Sequence, residues 1–112
     1  MLINKIEVGE LDIYDADVME KIEKSLIRVQ EEANKSVNLK ASDSIRMQCN
    51  AVFDCFNDLF GKGTDKKVFG DKVNLLICLT AFEELVKYIE EQKMQLAKMA
   101  SKYSSNRANR RK

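Results

Sequence analysis

Apolar and charged positions follow a helical rhythm over most of this chain, and the longest such stretch runs from Asp71 to Tyr103. Leu75, Cys78, Leu79, Phe82, Leu85, Val86 and Ile89 recur at three- and four-residue steps, which sets them on one helix face. Leu76, Ile77, Ala81 and Tyr88 make the opposite face of this half apolar too, so the pattern predicts that protein surrounds it. Beyond Glu90 only a narrow stripe continues, at Leu96, Met99, Ala100 and Tyr103. About 33 residues at about 1.5 Å each predict a rod of about 50 Å. A compact domain of this length is only about 35 Å across. The front of the rod is therefore expected in the core, and its rear is expected to project or to lie along a partner.

Two shorter helices precede it. Met19, Ile22, Leu26, Val29 and Ala33 step alternately by three and four, predicting a helix over about 17–36 with Asp17 as its cap and Glu20 completing a capping box. Ser42 is expected to cap a second helix over about 42–60, whose Ile45, Cys49, Val52, Phe53, Phe56, Leu59 and Phe60 form a broad apolar face ended by Gly61. Residues 61–70 read as a loop that Phe69 pins to the body. At the other end, Ile6, Val8, Leu11 and Ile13 alternate with charged neighbours around Gly9-Glu10, which suits a two-residue turn and predicts a small β-hairpin over about 2–14. The fold class is thus mainly α, with three helices (about 17–36, 42–60 and 71–103) and an N-terminal hairpin. The expected core is Leu26, Val29, Val52, Phe53, Phe56, Phe60, Leu75, Leu79, Phe82, Leu85, Val86 and Ile89.

Composition supports one folded unit over residues 1–103. The chain has 112 residues, 45% apolar and 33% charged, with no proline and four glycines, as a helical globule requires. No apolar run approaches the ~20 residues that span a bilayer, and acids come too early for a secretory signal, so a cytoplasmic location is expected. Cys49, Cys55 and Cys78 are odd in number, come without histidine, and are expected as reduced core thiols. Charge is unevenly shared. Residues 1–97 hold 13 Lys/Arg against 18 Asp/Glu, whereas 98–112 hold six cations and no acid. Residues 104–112 therefore read as a basic, flexible tail.

Little here suits catalysis. There is no histidine to shuttle protons near neutral pH, and no nucleophile motif. Asp54 and Asp58 share a helix face and could pair at a metal, but surface acids opposite the phenylalanine face explain them more simply. Asp12, Asp15 and Asp17 lack the glycine and final Glu of a calcium loop. Gly61, Gly63 and Thr64 with Lys62, Lys66 and Lys67 fall short of a P-loop, because the glycines are two apart and follow a helix. No catalytic residue, metal ligand or cofactor is therefore predicted. The candidate surface is protein-binding: Met94, Leu96, Met99 and Tyr103, with Arg107, Arg110 and Arg111 of the tail. Packing of the stripe against the chain's own first helix or hairpin is the plainer alternative.

Distinctive stretches are Arg46-Met-Gln-Cys-Asn-Ala-Val-Phe-Asp54, Leu59-Phe-Gly-Lys-Gly-Thr64, Lys67-Val-Phe-Gly70, Asn74-Leu75 with Cys78, and Ala81-Phe-Glu-Glu84. To these add Ile3-Asn4 and Asp15-Ala-Asp17 at the opening and Lys102-Tyr-Ser-Ser-Asn-Arg-Ala-Asn-Arg-Arg111 at the close. Together they resemble a family of small phage and prophage proteins found with tail-morphogenesis components in Gram-positive bacteria. Asn4-Lys5 departs from the Asn-Gly of that pattern. The resemblance implies a tail-assembly-chaperone-like role in the host cytoplasm, in which a tape-measure or tail-tube protein is held during assembly, the chaperone itself being oligomeric or not. A structural virion component, or a nucleic-acid-binding regulator using the basic tail, are the alternatives. An acidic body makes nucleic acid the weaker of these.

Overall fold

A computed structural model describes residues 1–110, with side chains described for residues 1–103. A two-stranded antiparallel ribbon, β1 (Leu2–Ile3) and β2 (Ile6–Glu7), leads into α1 (Ala16–Lys35). A single 3₁₀ turn at Ser36–Asn38 joins α1 to α2 (Ala41–Phe60). A short α3 (Thr64–Phe69) follows, and then the long α4 (Leu75–Arg110).

The chain is mainly helical with a small hairpin, as expected, but the described residues form four helices where the pattern predicted three. The extra one, α3, occupies the supposed loop. The Asn57 side chain accepts the Asp65 amide at 2.9 Å and the Thr64 hydroxyl donates to the Gly61 carbonyl, so the turn between α2 and α3 is closed by its own hydrogen bonds. Gly63 enters α3 at φ 94°, a left-handed conformation that a Cβ would disfavour. Phe69 does pin this segment. Its ring centroid lies 5.0 Å from that of Phe53 and 5.6 Å from that of Phe56.

The hairpin is tighter than predicted. Its turn falls at Asn4-Lys5, both with positive φ (52° and 64°), rather than at Gly9-Glu10. Two successive left-handed residues make the turn whose twist matches paired strands, and Asn suits the first position. Leu11 and Ile13 lie beyond the ribbon, yet Ile13 is buried. Helix starts also differ. Asp15, not Asp17, caps α1, accepting the amides of Asp17 at 2.9 Å and Val18 at 3.2 Å. α2 begins at Ala41 behind Lys40 with no side-chain cap, one residue ahead of the Ser42 expected to cap it.

α1 and α2 form an antiparallel pair, bridged on the surface where Arg28 meets Asp54 at 2.9 Å. α4 runs in the same direction as α2. Val73 borders the same surface hollow as Ser42 and Ile45 near the start of α2, Cys78 lies beside Cys49, and Tyr88 reaches Glu10, beside the Gly9 that faces Phe60. The crossover through α3 makes this parallel arrangement feasible.

Ile3, Ile22, Val52, Phe56, Leu85 and Ile89 are the largest apolar side chains fully out of water, each contributing about 1.5–3 kcal/mol. Of the predicted core, Val29 is buried too, while Leu26, Phe53, Phe60, Leu75, Phe82 and Val86 are only half-buried. Leu79 is a correction, being 44% exposed. Leu76, at 75% exposure, overturns the expectation that protein surrounds the front of the rod. α4 buries one face there, through Cys78, Ala81, Leu85 and Ile89. The physical reason is that a single helix, α2, covers it from one side, with β1 touching it and the Asn4 amide of the ribbon turn donating to Glu84 at 3.2 Å.

Candidate functional site

The candidate surface lies on α4 beyond Ile89, and its shape follows from two lengths. Thirty-six helical residues extend about 54 Å at about 1.5 Å each. The whole molecule measures 64 × 31 × 22 Å with a radius of gyration of 17.5 Å, against about 13 Å for a compact domain of this size. The helix continues unbroken from the body outward. From Glu90 to Tyr103 no residue is buried, and Gln92 alone is half-buried.

What leaves the body is the same face that is buried inside it. Cys78, Phe82, Leu85, Ile89, Gln92, Leu96, Met99 and Tyr103 follow one another by alternating steps of four and three, a heptad seam down the length of the rod. Up to Ile89 the seam is packed against the rest of the fold. After it, Leu96 is 44%, Met99 54% and Tyr103 68% exposed. Within the described residues these three side chains do not fold back under α1 or the hairpin, the plainer alternative open from the pattern alone.

Met94 belongs elsewhere. It is 60% exposed, but nine residues separate it from Tyr103, which is about 180° around the helix, so it faces away from Leu96, Met99 and Tyr103. Arg107, Arg110 and Arg111 lie outside the residues whose side chains are described. Lys93, Lys98 and Lys102 are exposed, with Lys93 3.7 Å from Glu90. By heptad position Lys93 and Lys102 border the seam on its two sides.

The point of departure is anchored. The Tyr88 hydroxyl donates to Glu10 Oε2 at 2.9 Å, and Glu10 also accepts from the Met1 amine. That amine, then Tyr88, hold the Glu10 carboxyl below its usual range. Burial, then the Glu10 bond, push the Tyr88 phenol up.

The other candidates read from the sequence resolve as structural parts. Asp54 pairs with Arg28, and Asp58 is exposed on the same side. Thr64 and Gly61 bond each other, while Lys66 sits 3.4 Å from Asp71. All three cysteines are buried free thiols. Burial pushes Cys55 up to about 12, and burial followed by the Cys49 contact does the same to Cys78, which favours the protonated thiol in both near neutral pH. Among the described residues no group of His, Cys, Asp or Glu is placed to hold a metal ion, and no helix is long and apolar enough to cross a membrane.

One comparison with known proteins is informative. A family model described as a family of unknown function (DUF6673) matches residues 4–112. No curated protein and no solved structure matches the chain.

Proposed function

The chain belongs to the DUF6673 family, whose function is unknown, and we propose that it is a non-catalytic protein-binding component of phage tail assembly, chaperone-like in action. The observation that carries the reading is the seam itself. Leu96, Met99 and Tyr103 continue the buried face of α4 into solvent on an unbroken helix, an arrangement that suits capture of another helix. The resemblance of the opening and closing motifs to small tail-morphogenesis proteins supports the setting. A tape-measure protein is long and helix-rich, and a projecting helix with an uncovered seam is a surface on which such a chain can be held. The host cytoplasm is where that assembly takes place.

The test is co-expression of the full chain, and of a chain ending after Glu91, with the tape-measure and tail-tube proteins of its own gene cluster. Capture of one of these by the full chain and its loss on truncation is the expected result. Equal capture by both, or capture by neither, contradicts it. Purified mature particles add a second readout. The protein is expected to be missing from them, and stoichiometric presence would make it a structural component instead.

A further inference from the structure

Two properties of the projecting segment bear on what covers it. One is continuity. The face that α2 and the hairpin cover as far as Ile89 runs on in the same heptad phase through Gln92, Leu96, Met99 and Tyr103, so a helix laid there would take over where α2 ends at Phe60. The other is charge. Residues 92–112 hold seven Lys/Arg and no acid, while residues 1–91 hold 12 Lys/Arg against 18 Asp/Glu. A second copy of the segment would bring cations against cations whichever way it ran, which disfavours self-pairing. A phosphate backbone would satisfy the cations but leave Leu96, Met99 and Tyr103 without an apolar partner, and it would meet an acidic body behind them.

From these we infer that the occupant of the seam is an amphipathic helix of another protein whose apolar stripe is flanked by Asp or Glu. It lies along α4 from Gln92 outward and packs on Leu96, Met99 and Tyr103. Its acids meet Lys93 and Lys102 on either side, which steers encounter and fixes direction. Gln92 is the one polar side chain in the seam between Cys78 and Tyr103 and is half-buried. A polar group there favours the register that gives it a polar neighbour. The inference deepens the protein-binding reading above and rests on it.

The probe is a synthetic three-heptad peptide with Leu at both seam positions and Glu beside them, whose own like charges keep it from pairing with itself. Its counterparts are a Lys-flanked version and a scrambled version of the acidic composition. The full chain is expected to bind the Glu-flanked peptide at least tenfold more tightly than either counterpart, and less tightly as salt rises. Leu96→Glu with Met99→Glu should weaken that binding at least tenfold without loss of helical circular dichroism. Lys93→Glu with Lys102→Glu should transfer the preference to the Lys-flanked peptide.

Equal binding of the two flanked peptides, or of the scrambled one, overturns the inference. So does tighter binding of duplex DNA, or a dimer of the chain that dissociates on Leu96→Glu with Met99→Glu. If the tail proteins of the gene cluster are captured through residues 92–112 while the peptides are not distinguished, the charge inference fails and the protein-binding reading stands. If no tail protein is captured but the Glu-flanked peptide is preferred, the assembly reading fails alone.

Discussion

The hydroxyl of Tyr88 lies 2.9 Å from a carboxylate oxygen of Glu10, joining the segment after the N-terminal ribbon to α4 one residue before Ile89, the last buried residue of that helix among those whose side chains are described. The contact marks where the rod stops being core and starts being surface. Glu10 has a lowered pKa, so its contribution is fully present above the ordinary carboxylate value and is lost as the pH falls through the lowered one. Amide exchange in residues 2–8, taken relative to the intrinsic rate at each pH, should therefore quicken in acid. Tyr88→Phe or Glu10→Gln should quicken it at neutral pH as well, leaving amides around Val52 and Leu85 protected. Unchanged exchange in both variants would show that the contact does not hold the ribbon down.

Lys5 occupies a left-handed conformation, φ 64°, in the ribbon turn. Such a conformation costs a side-chain-bearing residue about 1–2 kcal/mol. Lys5→Gly is expected to raise stability by about 1 kcal/mol, net of the entropy that Gly loses on folding. Urea titration of the two chains measures it, and a fall in stability would place the strain elsewhere.

Leu85 and Met99 lie two heptads apart on one seam, yet one is fully buried and the other 54% exposed. Leu85→Ala should cost about 2–5 kcal/mol, as buried leucines do. Met99→Ala should change stability by less than about 0.5 kcal/mol while weakening client capture. A comparable loss of stability in both would mean that Met99 is core in solution.

The thiols of Cys49, Cys55 and Cys78 are buried, and those of Cys55 and Cys78 are pushed up to about 12. A thiol reagent at neutral pH should label none of the three in the native protein and all three in denaturant. Rapid labelling of the native chain would indicate that α2 and α4 separate easily.

Helical period alone made the three long helices legible, because each carries an apolar stripe over about four turns or more. It also made the overlong rod legible, since rise per residue fixes its length. Helix α3 was hidden for the opposite reason. It has six residues between Gly63 and Gly70, too few for a period to show, and glycine at both ends reads as loop. The ribbon turn was misread because Gly9-Glu10 has the composition of a turn, whereas Asn4-Lys5 is held in one by strand pairing and by the Asn4 side chain, which donates to the Val68 carbonyl at 3.2 Å.

Which face of α4 is buried could not be read where both faces are apolar. Leu76 and Leu79 look as fit for the core as Cys78 and Ala81, and only the one-sided cover from α2 decides between them. Met94 was different. The same period that aligns Leu96, Met99 and Tyr103 already sets it on the far side, and counting the steps would have separated it from them.

That separation of faces supplies the most direct measurement. A photo-crosslinking amino acid is placed at position 96, and in a second chain at position 94, each co-expressed with the tail proteins of the gene cluster. A crosslink to a tape-measure or tube protein from position 96, with none from 94, is the predicted result. Crosslinks from 94 alone, or from 96 only into the chain's own α1, would contradict a client held along the exposed continuation of the core.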